Sequence, residues 1–461
     1  MRNLLPLIAL LLVTAGAACT YFERETDRLQ LSNLDPDIIE MMESVSVDTI
    51  QATIETLAQF GTRHTLSDTE SDTFGIGAAR RWIKQGMDRY SRQSGGRLIV
   101  ENHRFRQEPT HRIHEAVDIV NIVATLPGTD PADDRIFVVS GHYDSRASHV
   151  MDSESPAPGA NDDASGTAAV MELARVMSDY DFRATLVFMA VAGEEQGGLG
   201  ARQWAAEAAS EGMNIAGMIT NDIIGNHKAE NGHLSDPNKV RLFASGIPVQ
   251  ERLDMETVRY LQTGGESDMP TRQLARTIKE VSESYLEDLD VWLIYRADRY
   301  LRGGGHLAFL EHGFPAVRFS EPHEDYRHQH QDVREADGIQ YGDLPEFVDY
   351  DYVKRVTETN LSALANLARS PKPPANVGIN VSELENDTRL RWSPSESENL
   401  AGYDVLWRET TSPVWQYKKF VGPKTHIRLK NISKDNWVFG VRSVSNGGHV
   451  GIPVFPMPFR E

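Results

Sequence analysis

The sequence is poor in three things, and each shortage removes a class of explanation. Cys19 is the only cysteine, so the folded chain has no intramolecular disulfide and draws its stability from core packing and from any metal it holds. Positive charge is scarce: 47 Lys and Arg stand against 67 Asp and Glu, a formal net charge of −20 that repels a phosphate backbone and argues against nucleic acid as a partner. Beyond the first residues there is no apolar run near the roughly 20 residues needed to cross a bilayer. The acidity by itself selects no substrate, because solvated surface carboxylates give the same balance.

What is present begins with a leader. MRNLLPLIALLLVTAGAAC carries a cationic Arg2, an apolar stretch over residues 4–13 and small residues over 15–18, the layout of a secretory signal peptide spanning residues 1–18. Cys19 follows directly, where a bacterial lipoprotein carries its lipid; Gly16 stands where such signals usually carry Leu, and Ala15-Gly16-Ala17 serves an ordinary signal peptidase equally well. The expectation is export, to the periplasm, to the cell envelope through a lipid anchor at Cys19, or to the exterior.

The rest has ordinary globular composition, 40% hydrophobic and 25% charged, and 461 residues call for more than one folding unit. Residues 26–116 read as mainly helical: SVDTIQATIETLAQF spaces Ile50, Ile54, Leu57 and Phe60 at three- and four-residue intervals. Short Val/Ile-rich runs follow (VDIVNIVATLPG, RIFVVSGHYDS, ATLVFMAVAGEE, MITNDIIG, PAVRFS), some separated by helical stretches such as SGTAAVMELARVMSDY. Runs apolar on both faces that alternate with helices predict an α/β fold, a mostly parallel central sheet flanked by helices on both faces. Residues 226–302 lose the pattern and read as an insertion over the sheet.

SPKPPANVG marks a stiff linker at residues 370–373, dividing a body over 26–369 from a module over 374–461. In the module TRLRWSP, GYDVLWRE, THIRLKNI and WVFGVRSVS alternate apolar and polar residues, which predicts a C-terminal all-β immunoglobulin-like sandwich. With Trp392, Tyr403 and the closing WVFGVRSVSNGG it resembles a fibronectin type III domain, although Trp437 stands where that family carries the Tyr of its corner motif. Such a module contacts a surface or acts as a spacer.

In parallel sheets ligands bind at the carboxyl ends of strands, so the polar residues that close each apolar run carry the chemistry. His142 follows RIFVVS, and Asp144 lies two residues on, on the same side of an extended chain, able to orient the imidazole. Asp162 and Asp163 precede a helix whose expected cap is Ser165; one can bridge two cations, or both can simply favour the helix N-terminus. Glu194 and Glu195 end a strongly apolar run, where one can bind metal and the other act as a base, unless the turn is merely exposed. Asp222, between apolar residues, needs a partner: a metal, a basic side chain or a cluster of N–H groups. EPHEDYRHQHQD holds His323, His328 and His330, of which one is expected to bind metal.

The combination and order of GHYDS, GANDDASG, AGEEQGGLG, NDIIG and a late H-x-x-x-D resemble the zinc aminopeptidases typified by secreted bacterial leucine aminopeptidases, over residues 47–368. That family also includes carboxypeptidases and single-zinc glutaminyl cyclases. The resemblance implies two zinc ions: His142 and Asp222 on one, Glu195 and His328 on the other, and Asp162 bridging both. His328 is preferred because Asp332 follows four positions later, as in the family pattern. Asp144 becomes the carboxylate behind His142, and Glu194 the general base. The family's late Ser-Asp-His element stands here as Gly304-Gly305-His306, so its Asp is missing. His306 and Tyr300 are the candidates for substrate contact. The activity implied is hydrolysis of the first peptide bond of peptides with a free N-terminus; the alternatives are a glutaminyl cyclase or carboxypeptidase on the same scaffold, or a catalytically inactive binding protein.

Overall fold

The apolar runs become strands because their side chains are covered on both faces, and the order in which they pair sets where their ends meet. A computed structural model describes residues 29–230, 232–247, 253–300 and 302–460. The leader expected at 1–18 and Cys19 lie outside the described residues. Eight strands form one sheet: β1 (Ile99–Gln107), β2 (Val117–Leu126), β3 (Arg135–His142), β4 (Thr185–Val191), β5 (Asn214–Asn221), β6 (Lys239–Ala244), β7 (Asp290–Ile294) and β8 (Ala316–Ser320). Their order is β1-β2-β4-β3-β5-β8-β6-β7. The centre, β4-β3-β5-β8, is parallel throughout. Antiparallel pairings join β1 to β2, β2 to β4 and β8 to β6.

The helices are α1 (Pro36–Glu43), α2 (Val47–Gln59), α3 (Gly75–Gln93), α4 (Ala164–Met177), α5 (Leu199–Ser210), α6 (Met255–Gln262), α7 (Pro270–Tyr285), α8 (His306–Glu311) and α9 (Tyr350–Arg369). Successive residues of β3 show why both faces are layered. Phe137 and Val139 join the larger core with α4 and α9, whereas Val138 packs in a second core with Ala201 and Ala205 of α5 and Phe309 of α8. The expected α/β architecture is therefore present, with antiparallel edges added to its parallel centre.

Two expectations change. The segment 26–116 is helical only to Gln93; β1 follows as an edge strand whose residues are mostly exposed or half-exposed, so it lacks the apolar signature of a strand. Residues 226–302 are not only a layer over the sheet but part of it. β6 and β7 extend it beyond β8, and α7 covers them.

After α9 ends at Arg369, seven strands form the module: past the small hairpin β9 (Arg334–Ala336) and β10 (Ile339–Tyr341), these are β11 (Ala375–Asn380), β12 (Thr388–Ser393), β13 (Leu400–Glu409), β14 (Tyr417–Phe420), β15 (His426–Leu429), β16 (Trp437–Ser445) and β17 (Met457–Phe459). They make two sheets, β15-β12-β11-β17 and β14-β13-β16, around Trp392, Tyr403, Val405, Phe439 and Val441.

The module is fixed to the body along one face of α7, where Gln273, Arg276 and Glu280 recur at three- and four-residue spacing. Glu280 accepts two hydrogen bonds from Arg442, at 2.7 and 2.8 Å, and Arg442 also reaches Asp404 at 3.1 Å. Asp268 lies between Arg276 (3.0 Å) and Arg408 (2.6 Å), and the Trp415 indole donates to Gln273 at 3.2 Å. All of these groups are buried, an attachment that a loosely tethered spacer does not require. Arg442→Leu leaves Glu280 and Asp404 buried without their cation, and should cost about 3–5 kcal/mol. Chemical denaturation of the full chain checks this; a loss below about 1 kcal/mol, the range of an exposed pair, would show the bridge to be incidental.

Candidate metal centre

Because β3, β4, β5 and β8 run in parallel, their carboxyl ends share one edge, and the residues just beyond them are held by backbone that the sheet has already fixed. His142 closes β3. Its ring Nδ1 bonds the Asp144 carbonyl at 3.1 Å, which aims Nε2 at Asp162, 3.2 Å away. The carboxylate of Asp144 also lies beside Nδ1, its Oδ1 3.6 Å away, and accepts the backbone N–H groups of Glu194 and Glu195 at 3.2 and 3.0 Å, which locks the turn after β4.

The loop before α4 is held by two further carboxylates. Asp343 accepts from the backbone N–H of Asn161 at 2.8 Å and of Asp162 at 2.7 Å. Asp163, not Ser165, caps α4; its side chain accepts from Gly166 N, and it also takes the N–H of His142 and of Ile223. Ser165 sits inside the helix and donates to the Asn161 carbonyl instead.

Asp222 follows β5. Next to it Ile223 has φ +61°, a left-handed conformation that a β-branched residue adopts at a cost of about 1–3 kcal/mol. The turn is held there by Asp163 and by the Ile223 carbonyl, which accepts from Glu321 N at 2.8 Å. Arg318, fully buried on β8, bonds one oxygen of Asp222 at 2.8 Å and Asp298 at 2.9 Å. A Cβ at Gly304 would stand 3.0 Å from the other Asp222 oxygen, so glycine keeps that oxygen approachable.

The three histidines of the late segment separate cleanly. His330 Nε2 lies 2.9 Å from both Asp162 and Glu195. His328, the residue expected in that role, is stacked flat on Phe347 with ring centroids 3.7 Å apart, its Nδ1 3.6 Å from Asp325. His323 bonds Asp236 at 2.8 Å. The spacing argument for His328 fails because His330 has φ +50°. That left-handed turn swings its ring back into the site, while Asp332 is spent pairing with Ser148.

Two donor groups result, His142-Asp162-Asp222 and Asp162-Glu195-His330; within each the ligand atoms lie within 4.8 Å of one another, and Asp162 is common to both. Imidazole nitrogen and carboxylate oxygen are the donors zinc takes in sites that keep an open position. The electrostatics fit a cation as well. Burial alone would lower both imidazoles, but Asp163, Asp144 and Asp162 raise His142 well above its ordinary value, and Glu195 and Asp162 bring His330 up to about 10. Glu194, which lines a cavity of about 440 Å³, is in neither group; withdrawal from water, reinforced by Asp222, Glu195 and Asp144, pushes its carboxyl up to about 8.

Tyr300 and His306 are not brought to this cavity. Tyr300 is 81% exposed and bonds Arg296, away from the cluster. His306 is fully buried at the start of α8, bonded to the Ala297 carbonyl at 2.7 Å, and the cavity wall at this point is Gly303, Gly304, Gly305 and Leu307. Asp343 and Arg318, which help position the donors, have no signal of their own: YGD and VRF carry no spacing that distinguishes them from ordinary surface or strand residues, whereas Asp163 takes the helix N-terminal role that its place before α4 allowed.

Residues 121–350 match peptidase family M28. A probable zinc metalloprotease of Leptosphaeria maculans is 46% identical over 424 residues, covering 92% of this chain and 97% of that protein. The chain belongs to peptidase family M28. A second relative, a probable zinc metalloprotease of Pyricularia oryzae, is also 46% identical, over 92% of this chain and 85% of its own. Among solved structures this M28 chain shares its fold with the LapA aminopeptidase of Legionella pneumophila (TM-score 0.51, 17% identity, 81% of each chain). It also shares it with an aminopeptidase from Aneurinibacillus sp. strain AM-1 (TM-score 0.50, 15% identity, 72% and 96% of the chains).

For this M28 member the two late histidines are separable by experiment. After dialysis against a weak chelator, His330→Ala should retain less zinc than the parent by elemental analysis. His328→Ala should match the parent. Equal retention in both variants would return the role to neither ring.

Proposed function

We propose that the chain is a zinc-dependent exopeptidase that removes the first residue from peptides with a free N-terminus, using two zinc ions and Glu194 as the general base. The observation that carries this reading is the sharing of Asp162 by two donor groups at the foot of one cavity, with Glu194 beside them and outside both. In this reading His142 and Asp222 would hold one ion, Glu195 and His330 the other, and Asp162 would serve both. When bound, zinc supplies positive charge that polarises the scissile carbonyl and makes a nearby water more acidic.

The chain's own residues do the rest. Asp144 fixes the turn that carries Glu194 and, through its carbonyl, the ring of His142, so both are placed before substrate arrives. Glu194 takes the proton of the attacking water and returns it to the departing amine. Its raised affinity for protons suits that traffic near neutral pH, and metal held beside it would lower the value toward that of a working base. A complete donor set together with an intact Glu194 favours an enzyme over an inactive binding protein, and the same set serves the cyclase and carboxypeptidase alternatives.

The leader carries a separate proposal, export with either cleavage after residue 18 or lipid attachment at Cys19. The sandwich, read as a fibronectin type III-like module, is proposed to contact a surface or to hold the body away from one.

The test is a panel of free-amine, N-acetylated and C-terminally blocked peptides, with and without chelator. Cleavage should require the free amine, disappear with chelator and return with zinc. Glu194→Gln should lower kcat by about 10²–10⁴ while zinc content stays that of the parent. Turnover of acetylated peptides, or release of the C-terminal residue, would reject the aminopeptidase reading.

A further inference from the structure

The cavity beside the donor groups is lined by five arginines, Arg112, Arg146, Arg202, Arg299 and Arg302, in a chain whose formal net charge is −20. Their partners neutralise them only in part. Arg299 and Arg302 both end on one oxygen of Glu324, at 3.0 and 2.7 Å, and Arg241 takes the other at 2.9 Å, so one buried carboxylate answers three guanidinium groups. Arg299 also reaches Asp298, but Asp298 is shared with Arg318. Arg112 bonds the Glu195 carbonyl, a dipole and not a charge; Arg146 bonds the carbonyls of Ala147 and Ser148 and stands 4.0 Å from the Glu195 carboxylate, itself one of the metal donors. Arg202, nearly half exposed, pairs with Glu311 at the surface.

The carboxylates within the cavity are Asp162, Glu194, Glu195 and Asp222. Three of them belong to the donor groups, and metal held there would offset their charge. The arginine charge is then left facing the substrate. A guanidinium in a partly desolvated pocket binds carboxylate through paired, charge-assisted hydrogen bonds, and a pocket of this sign disfavours cationic peptides.

We propose that this cavity selects acidic peptides, with Arg302 and Arg202 reading aspartate or glutamate side chains in the two residues that flank the cleaved bond. The identity of that bond rests on the exopeptidase reading above; the charge preference does not.

The experiment separates the two. Binding of Asp-Asp-Ala-Phe amide and Asn-Asn-Ala-Phe amide is measured by calorimetry on the zinc-loaded full-length Glu194→Gln protein. The peptides differ only in two side-chain carboxylates, and the amide removes the terminal one. The Asp peptide should bind at least about tenfold more tightly, and Arg302→Gln and Arg202→Gln, each added to Glu194→Gln, should shrink that ratio to below about threefold. Circular dichroism and zinc content confirm that each variant is folded. Affinities within about twofold in the parent background, or a ratio that survives both substitutions, would overturn the proposal. Hydrolysis of the free-amine and acetylated Asn peptides by the Glu194-intact enzyme is scored separately. If the acetylated form is cut, the aminopeptidase reading fails while the affinity ratio still stands or falls alone.

Discussion

Asp163 does not line the cavity, yet its carboxylate receives the backbone N–H of His142 at 2.9 Å, of Gly166 at 3.0 Å and of Ile223 at 3.3 Å. Those three donors belong to the end of β3, the first turn of α4 and the turn after β5. A buried carboxylate is tolerated only when its oxygens are satisfied, and here satisfying them requires three separate segments to converge within hydrogen-bond reach. The helix dipole of α4 adds to the same attraction. Asp144 and Asp343 repeat the device on the turn after β4 and on the loop before α4. The donors that face the cavity are therefore placed by carboxylates that do not, and the positioning is done by backbone N–H groups, which cannot change rotamer.

Much of this was readable from residue order. β2, β3, β4, β5 and β8 were visible as apolar runs because they are covered on both faces, and the residues closing them were visible as polar interruptions of those runs. β1 was hidden by its exposure, and β6 and β7 by their brevity and by charged residues such as Lys239, Arg241 and Asp290. The choice between His328 and His330 was illegible for a different reason. Counting residues to Asp332 assumes a backbone of uniform handedness, and His330 reverses it. Tyr300 was a candidate only through the family resemblance, and the path of the chain, which decides which side of the wall a side chain faces, leaves it exposed to solvent.

The shortage of basic residues also reads differently once their positions are known. Arg63, Arg318, Arg408 and Arg442 are among the largest fully buried side chains. Arg63 donates to the carbonyls of Leu57, Tyr143 and Gly159 and thereby ties the segment after α2 to the loop that carries Asp162; burial lowers its pKa to about 10, still far above neutrality. Cations committed to the interior cannot offset the surface carboxylates. Buried carboxylates are more numerous still, Asp144, Asp163, Asp222, Asp268, Glu280 and Asp298 among them, so much of the acidic excess lies in the interior and is answered there by these guanidinium groups.

The described chain starts at residue 29, and its first contacts are with the far end of the molecule's sequence. Lys418 of the sandwich reaches the Gln30 carbonyl, Leu31 N donates to Ser284 of α7, and Asp35 bonds both Arg369 and His449. The first described residues thus lie along the flank where the sandwich docks. The bonds of Gln30 to Lys418 and of Asp35 to His449 can form only once the sandwich has been synthesised, so this edge of the body is completed by the part of the chain translated last.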